Sequence, residues 1–228
     1  MPYTIALFDA DNTLFDFTRA EHEALSLCLA DRGLPPDDAT VRLYSDINVG
    51  YWKMLERGEI TRDALKVARF QSLFDELGCK DDAASIAIDY ESALAKQMFL
   101  IDGAEELLAS LRGRCKIYII TNGTATVQRP RLSQSPLTPY FDGCFISEEM
   151  GASKPDRAFF EQVAVSIPGF DPRKALVIGD SLTSDIQGGI NMGWDTCWYN
   201  PFGLPAPKNM PITYVARNFE TIHDILIH

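Results

Sequence analysis

Five short apolar runs rich in strand-forming residues recur along the chain, at residues 3–8, 115–120, 143–146, 175–178 and 196–199, with a weaker sixth at 213–216. Stretches of helical periodicity separate most of them. Parallel strands need long crossovers, and helices on both faces of a sheet supply them. The expected class is therefore α/β with a parallel sheet. One interval breaks the alternation. Between residues 17 and 98 there is helical periodicity and no convincing strand, in pieces at 19–32, 38–56, 62–77 and 81–99, punctuated by Gly33-Leu34-Pro35-Pro36, Gly58 and Gly78. That is too much helix for one crossover. It reads as an inserted all-helical cap domain at 17–98, carried by a core domain of residues 1–16 and 99–228. The tail has four prolines (Pro201, Pro205, Pro207, Pro211) in a loop, then a last helix capped by Asn218.

In open α/β sheets, ligands bind beyond the carboxyl ends of the strands. The first run is followed by Asp9, Ala10, Asp11, Asn12 and Thr13, and Ile119-Ile120 by Thr121, Asn122 and Gly123. Val177-Ile178 is followed by Gly179, Asp180, Ser181 and then Ser184-Asp185. Ser153-Lys154-Pro155 opens a helix expected at 156–166. Two aspartates one residue apart repel each other, so something must justify them. A hard divalent cation such as Mg²⁺ takes oxygen ligands and cancels that repulsion. It would also admit an anionic substrate to a chain whose formal net charge is −11. Thr121 Oγ and the N–H groups of Asn122 and Gly123 could hold phosphate oxygens. Lys154 adds a positive charge, and at the start of a helix beginning with Pro155 it would share the dipole's positive end.

Other chemistries fail on spacing. An EF-hand counted from Asp9 would need Gly where Leu14 stands. His22-Glu23 lacks its second histidine, and the isolated cysteines and three histidines give no zinc spacing. Gly179-Asp180-Ser181-Leu182-Thr183 lacks the closing glycine of a serine-hydrolase elbow. Gly188-Gly189 with Gly193 reads as close helix packing and a C-cap, not a dinucleotide fingerprint. The five scattered cysteines read as reduced, mostly buried thiols. The N-terminal apolar run is short and ends in acid, which fits neither a signal peptide nor a membrane span, so a cytoplasmic location is expected. The acidic balance gives no field to attract nucleic acid polymer or an anionic membrane.

Phe8-Asp9-Ala10-Asp11-Asn12-Thr13-Leu14, Ile120-Thr121-Asn122-Gly123, Ser153-Lys154-Pro155 and Gly179-Asp180-Ser181-Leu182-Thr183-Ser184-Asp185 match, in order, the four motifs of the haloacid dehalogenase (HAD) superfamily. The resemblance spans nearly the whole chain. It implies a Rossmann-like core with a helical cap, and a Mg²⁺-dependent phosphohydrolase working through an aspartyl-phosphate. By resemblance, Asp9 is the nucleophile and Asp11 the general acid and base. Thr121, Asn122, Gly123 and Lys154 bind phosphate. Asp9, the Asp11 main-chain carbonyl and Asp180 hold the metal. Asp185 stands behind them, on metal waters or on Lys154.

Asp11 argues for phosphate chemistry over dehalogenation, because dehalogenases of this superfamily lack it. Phosphomutases keep both aspartates. Tyr51 through Thr61, the Ile120-Thr121-Asn122-Gly123 motif and the Gly188 to Trp198 segment resemble bacterial pyrimidine 5'-nucleotidases, and N-acylneuraminate-9-phosphatases are similar in parts. The implied substrate is a nucleoside monophosphate such as UMP, dUMP or dTMP. Another small sugar phosphate is the alternative, and a phosphate-binding interaction protein the non-enzymatic one. Asn48, Tyr51, Trp52 and Lys53 are candidates for a base pocket, against packing of the cap's own interior, and Phe17 and Arg19 could line the same cleft. Pro130 is expected to kink or shift the helix after the second motif. Monomer and homodimer are both compatible with the sequence.

Overall fold

The computed structural model describes residues 3–228. In chain order the elements are β1 (Ile5–Phe8), α1 (Phe17–Asp31), α2 (Asp38–Glu56), α3 (Arg62–Leu77), α4 (Ala83–Leu94), α5 (Ala104–Leu111), β2 (Lys116–Thr121) and α6 (Ala125–Gln134). There follow β3 (Gly143–Ile146), α7 (Ser147–Met150), α8 (Arg157–Ser166), β4 (Ala175–Gly179), α9 (Gln187–Met192), β5 (Asp195–Tyr199), β6 (Tyr214–Ala216) and α10 (Phe219–Ile227). The six strands form one sheet in the order β3-β2-β1-β4-β5-β6, every pair parallel. The expected α/β class with a parallel sheet holds.

Alternation along the strands distributes the core. Ala6 and Phe8, with Ile117, Ile119, Leu176 and Ile178, pack under α5 and α10. Ile5, Leu7, Ile120 and Val177 face the other way, against Phe159, Phe160 and Val163 of α8. Phe8 lies opposite both Ile119 and Ile178. That register makes Asp9, Thr121 and Asp180 leave the sheet together. The chain order reverses between β1 and β4, so the crevice where such sheets bind ligands falls at the end of β1.

Helices α1 to α4 form an apolar cluster of their own, including Ala24, Leu25, Tyr44, Phe70, Leu73 and Tyr90. Each starts with a side-chain cap: Asp16 accepts from Arg19 N, Asp37 from Thr40 N, Thr61 from Ala64 N, and Asp82 from Ala84 N and Ser85 N. Caps of this kind contribute about 1 kcal/mol each. The chain leaves β1 and returns to α5 side by side, with Asp16 N donating to Phe99 O and Ile101 N to Leu14 O.

Two expectations need correction. The fourth helical piece does not run over 81–99: Asp82 caps it and it ends at Leu94, because the following residues turn back to pair with the segment after β1. The helix after Lys154 does not begin at Pro155. Asp156 is its N-cap and Arg157 its first residue, so Lys154 stands outside the first turn and gains no place in it. Pro130 lies inside α6, which continues to Gln134. The carbonyl its missing N–H fails to serve is that of Thr126, an exposed residue with access to water. The close-packing reading of Gly188 and Gly189 does hold: a Cβ there would lie 2.2 Å from Phe160 Cε2 and 2.4 Å from Thr196 Cγ2 respectively. All five cysteines are free.

Candidate active site

The turn after β1 separates the two aspartates. Asn12 adopts φ +58°, the left-handed region that asparagine tolerates best after glycine. Asn12 Oδ1 accepts from Thr18 N and Thr18 Oγ1, which ties the turn to α1. Asp9 and Asp11 consequently meet different partners.

Asp9 meets Lys154. The Lys154 ammonium, on a side chain only 1% exposed, donates to Asp9 Oδ1 at 2.5 Å, Asp185 Oδ1 at 2.7 Å and Ile120 O at 2.8 Å. These three acceptors use all three of its N–H groups. Burial alone would lower the lysine pKa, but Asp185 and Asp9 outweigh it and the net shift is upward. The Asn122 side chain fixes the lysine backbone from both sides, Nδ2 donating to Lys154 O and Oδ1 accepting from Lys154 N, each at 2.9 Å. Asp185 Oδ2 accepts from Ser181 N at 3.1 Å. This acid sits in a π-helical turn, Leu182–Ile186, and crosses so close to Gly179 that a Cβ there would lie 2.1 Å from its Oδ2. Thr13 links the first and last strand ends, its Oγ1 donating to Asp9 Oδ2 at 3.4 Å and accepting from Asp180 N at 3.1 Å.

Asp11 meets α6 instead. Arg131 Nη1 donates to Asp11 Oδ1 and Gln128 Nε2 to Asp11 Oδ2, both at 2.6 Å. Gln128 Nε2 also reaches Thr121 Oγ1 at 2.9 Å, and Gly123 N donates to the same oxygen at 3.1 Å. One amide therefore joins Asp11 to the threonine.

Carboxylate oxygens of Asp9, Asp180 and Asp185 lie within 4.8 Å of one another. Three carboxylates face one ammonium, which leaves two negative charges when all are ionised. The electrostatics register that surplus. Burial pushes Asp9 well above the usual carboxylate range, with Lys154 pulling the other way and the neighbouring aspartates adding to the rise. Burial, then Asp185, pushes Asp180 up to about 7. An all-oxygen cluster short of two positive charges suits a hard divalent cation.

These groups open into one cavity of about 210 Å³, lined by Asp9, Asp11, Thr121, Asn122, Gly123, Lys154, Asp180 and Asp185. The sequence-derived residues of the four strand-end segments are thus brought together. The helical candidates divide. Trp52 and Phe17 line the cavity, and the Arg62 guanidinium lies 5.7 Å from the Trp52 ring centroid. Asn48, Tyr51, Lys53 and Arg19 are not among its walls. Tyr51 Oη pairs with Ser72 Oγ at 2.9 Å between α2 and α3, Lys53 is exposed, and Arg19 stacks on Phe99 at 3.9 Å. Asn48 is buried behind the wall, bonded to Glu21 and Arg69.

Sequence reading missed Gln128 and Arg131, and in the helices Glu56, Arg69, Tyr90 and Glu91. Three of them left a faint signal. Gln128 and Arg131 are three apart on a helix that starts just past Asn122. Arg69 interrupts the apolar stripe from Leu65 to Leu73 at four-residue spacing. Arg62 also crosses from α3 to the strand ends, donating to Asn122 O at 2.5 Å and to Ser147 Oγ at 2.7 Å.

Comparison with known proteins agrees with this geometry. A family model described as haloacid dehalogenase-like hydrolase matches residues 3–193. The chain is 41% identical to pyrimidine 5'-nucleotidase PynA of Streptococcus pneumoniae, over 99% of this chain and 96% of that one. It is 40% identical to the HAD-hydrolase YfnB of Bacillus subtilis (98% and 95% covered) and 32% identical to pyrimidine 5'-nucleotidase YjjG of Escherichia coli (99% of each). A crystal structure of YfnB, described as bound to magnesium and as revealing interdomain movement, superposes with a TM-score of 0.94 over 99% of both chains.

Proposed function

The chain belongs to the haloacid dehalogenase-like hydrolases, and from that premise we propose that it is a Mg²⁺-dependent 5'-nucleotidase acting on pyrimidine nucleoside monophosphates. The observation that carries the chemistry is the buried Lys154 ammonium shared by Asp9 and Asp185 in a cavity that Thr121 and Asp180 also line. Support for the substrate comes from PynA and YjjG, whose names specify pyrimidine 5'-nucleotides.

In this reading Asp9 attacks phosphorus and forms an aspartyl-phosphate while the ester P–O bond breaks. Asp11 gives its proton to the departing nucleoside oxygen. It then takes one from the water that cleaves the Asp9–phosphorus bond, which releases phosphate and restores the carboxylate. Arg131 and Gln128 hold Asp11 beside that path. The Thr121 hydroxyl and the Asn122 N–H receive phosphate oxygens, while the Gly123 N–H, which donates to Thr121 Oγ1, orients that hydroxyl. With its N–H groups committed to protein acceptors, Lys154 offers the phosphate charge and fixes Asp9. Asp9, Asp180 and the Asp11 carbonyl would hold Mg²⁺, which supplies the positive charge that lets a phosphate approach Asp9.

A panel of phosphate esters assayed with Mg²⁺ tests the reading. UMP, dUMP and dTMP should be turned over fastest, and excess chelator should stop the reaction. A preference for sugar phosphates contradicts the nucleotidase, and unchanged turnover in chelator contradicts the metal.

Proton binding gives a second test. The Asp180 carboxyl titrates near 7 in the folded metal-free chain, against about 3.9 when unfolded. Between those values the folded state binds a proton that the unfolded state lacks, so metal-free stability falls as pH rises from about 4 to about 7. Chelated protein should melt at a higher temperature at pH 6 than at pH 8. Added Mg²⁺ should raise the melting temperature more at pH 8, where no proton competes. A magnesium shift equal at both pH values would refute the assignment.

A further inference from the structure

Arg69 is 4% exposed, yet it is part of the cavity wall. The other deeply buried cations near the site, Arg131 and Lys154, are ion-paired. Arg69 has no such partner among the described residues. Its Nη1 donates to Asn48 Oδ1 at 2.9 Å and its Nε to Lys66 O at 3.4 Å, which leaves three of the five N–H groups of a guanidinium uncommitted. Its charge rests among the Tyr44, Phe70 and Tyr90 rings, at 5.9, 5.3 and 5.0 Å from their centroids. Tyr90 lines the same cavity, and its fully buried hydroxyl has no hydrogen-bond partner. Buried donors left unmet cost free energy until an acceptor arrives.

We infer that Arg69 and the Tyr90 hydroxyl form the specificity site for the leaving group, donating to a neutral carbonyl oxygen on its base; this rests on the nucleotidase reading above. The acceptor is neutral because Glu56 lines the same cavity with no ion-pair partner among the described residues, whereas Glu91, also in the wall, faces Lys66 at 3.6 Å through Oε1. A second phosphate or a carboxylate at that end would meet the unpaired Glu56. A flat heterocycle suits the remaining walls, Phe17, Trp52, Leu94 and Val127. Asn48 acts through Arg69: it accepts from the guanidinium and donates to Glu21 Oε1 at 2.7 Å, passing a distant negative charge to the arginine without neutralising its free edge. A site built this way rejects a substrate lacking the acceptor far more strongly than an apolar pocket does.

The test is the preference for UMP over ribose 5-phosphate, the same ester without the base, as a ratio of kcat/KM. It is measured in the wild type, in Tyr90→Phe, which keeps the ring, and in Arg69→Met, which keeps most of the bulk. Each substitution should lower the ratio at least tenfold. Tyr90→Phe should leave the melting temperature near the wild-type value, since its hydroxyl has only a long contact with the Tyr44 hydroxyl, so it decides the matter should Arg69→Met fold poorly. A wild-type preference retained in Tyr90→Phe overturns the inference alone. A wild type with no preference for UMP overturns the nucleotidase reading and the inference with it.

Discussion

Asp9→Asn is expected to reduce turnover by about 10⁴-fold or more while the protein stays folded, the scale on which loss of a nucleophile is felt. An amide of the same shape still offers an oxygen to Lys154, whose ammonium keeps Asp185 and Ile120 O as partners. The carboxylate it replaces is held far above its ordinary pKa by burial, so its removal relieves a desolvation penalty as it breaks a pair. Those effects oppose each other, and the melting temperature should move little. Steady-state rates with UMP, beside a thermal melt of the same sample, provide the check. Substantial activity in a folded Asp9→Asn variant would remove Asp9 from the chemistry.

Lys154→Met should lose activity and, unlike Asp9→Asn, lose stability as well. It leaves Asp9 and Asp185 facing each other in a buried site with no ammonium between them. Breaking a buried pair in this manner costs about 3–5 kcal/mol. The deficit has a pH signature. With the ammonium gone, the folded state favours protonated carboxyls, so protons taken up at low pH stabilise the folded variant relative to its unfolded chain. Urea titrations of wild type and variant in chelator should show a larger gap at pH 8 than at pH 5. A gap of equal size at both would mean that Lys154 contributes packing and not charge. Added Mg²⁺ should narrow the gap at pH 8, because a cation can stand in for part of the missing positive charge.

Both variants concern residues that stand at strand ends, and that is where sequence reading succeeds. Apolar runs of four to six residues separated by helical periodicity determine a parallel sheet. A parallel sheet sends all its strand ends to one edge. Asp9, Thr121 and Asp180 are therefore neighbours by strand order alone, and Lys154 joins them through the third motif. Helix caps at Asp16, Asp37, Thr61 and Asp82 are likewise local, each satisfied by an N–H two or three residues on. The error at the end of the fourth helix has a tertiary origin. Residues 95–99 are compatible with helix in isolation and are turned aside by pairing with the segment after β1.

What the sequence by itself determined is the sheet, its functional edge and the charged groups gathered there, because these follow from periods of two and 3.6 residues and from which residue comes next. What only the tertiary structure decided is the wall opposite. Arg69, Tyr90 and Glu56 come from three helices, and which side chains of a helical unit face a cavity depends on how the helices rotate and cross, which no local period specifies. The same holds for Arg131, which follows Pro130 in the chain and is buried against Asp11.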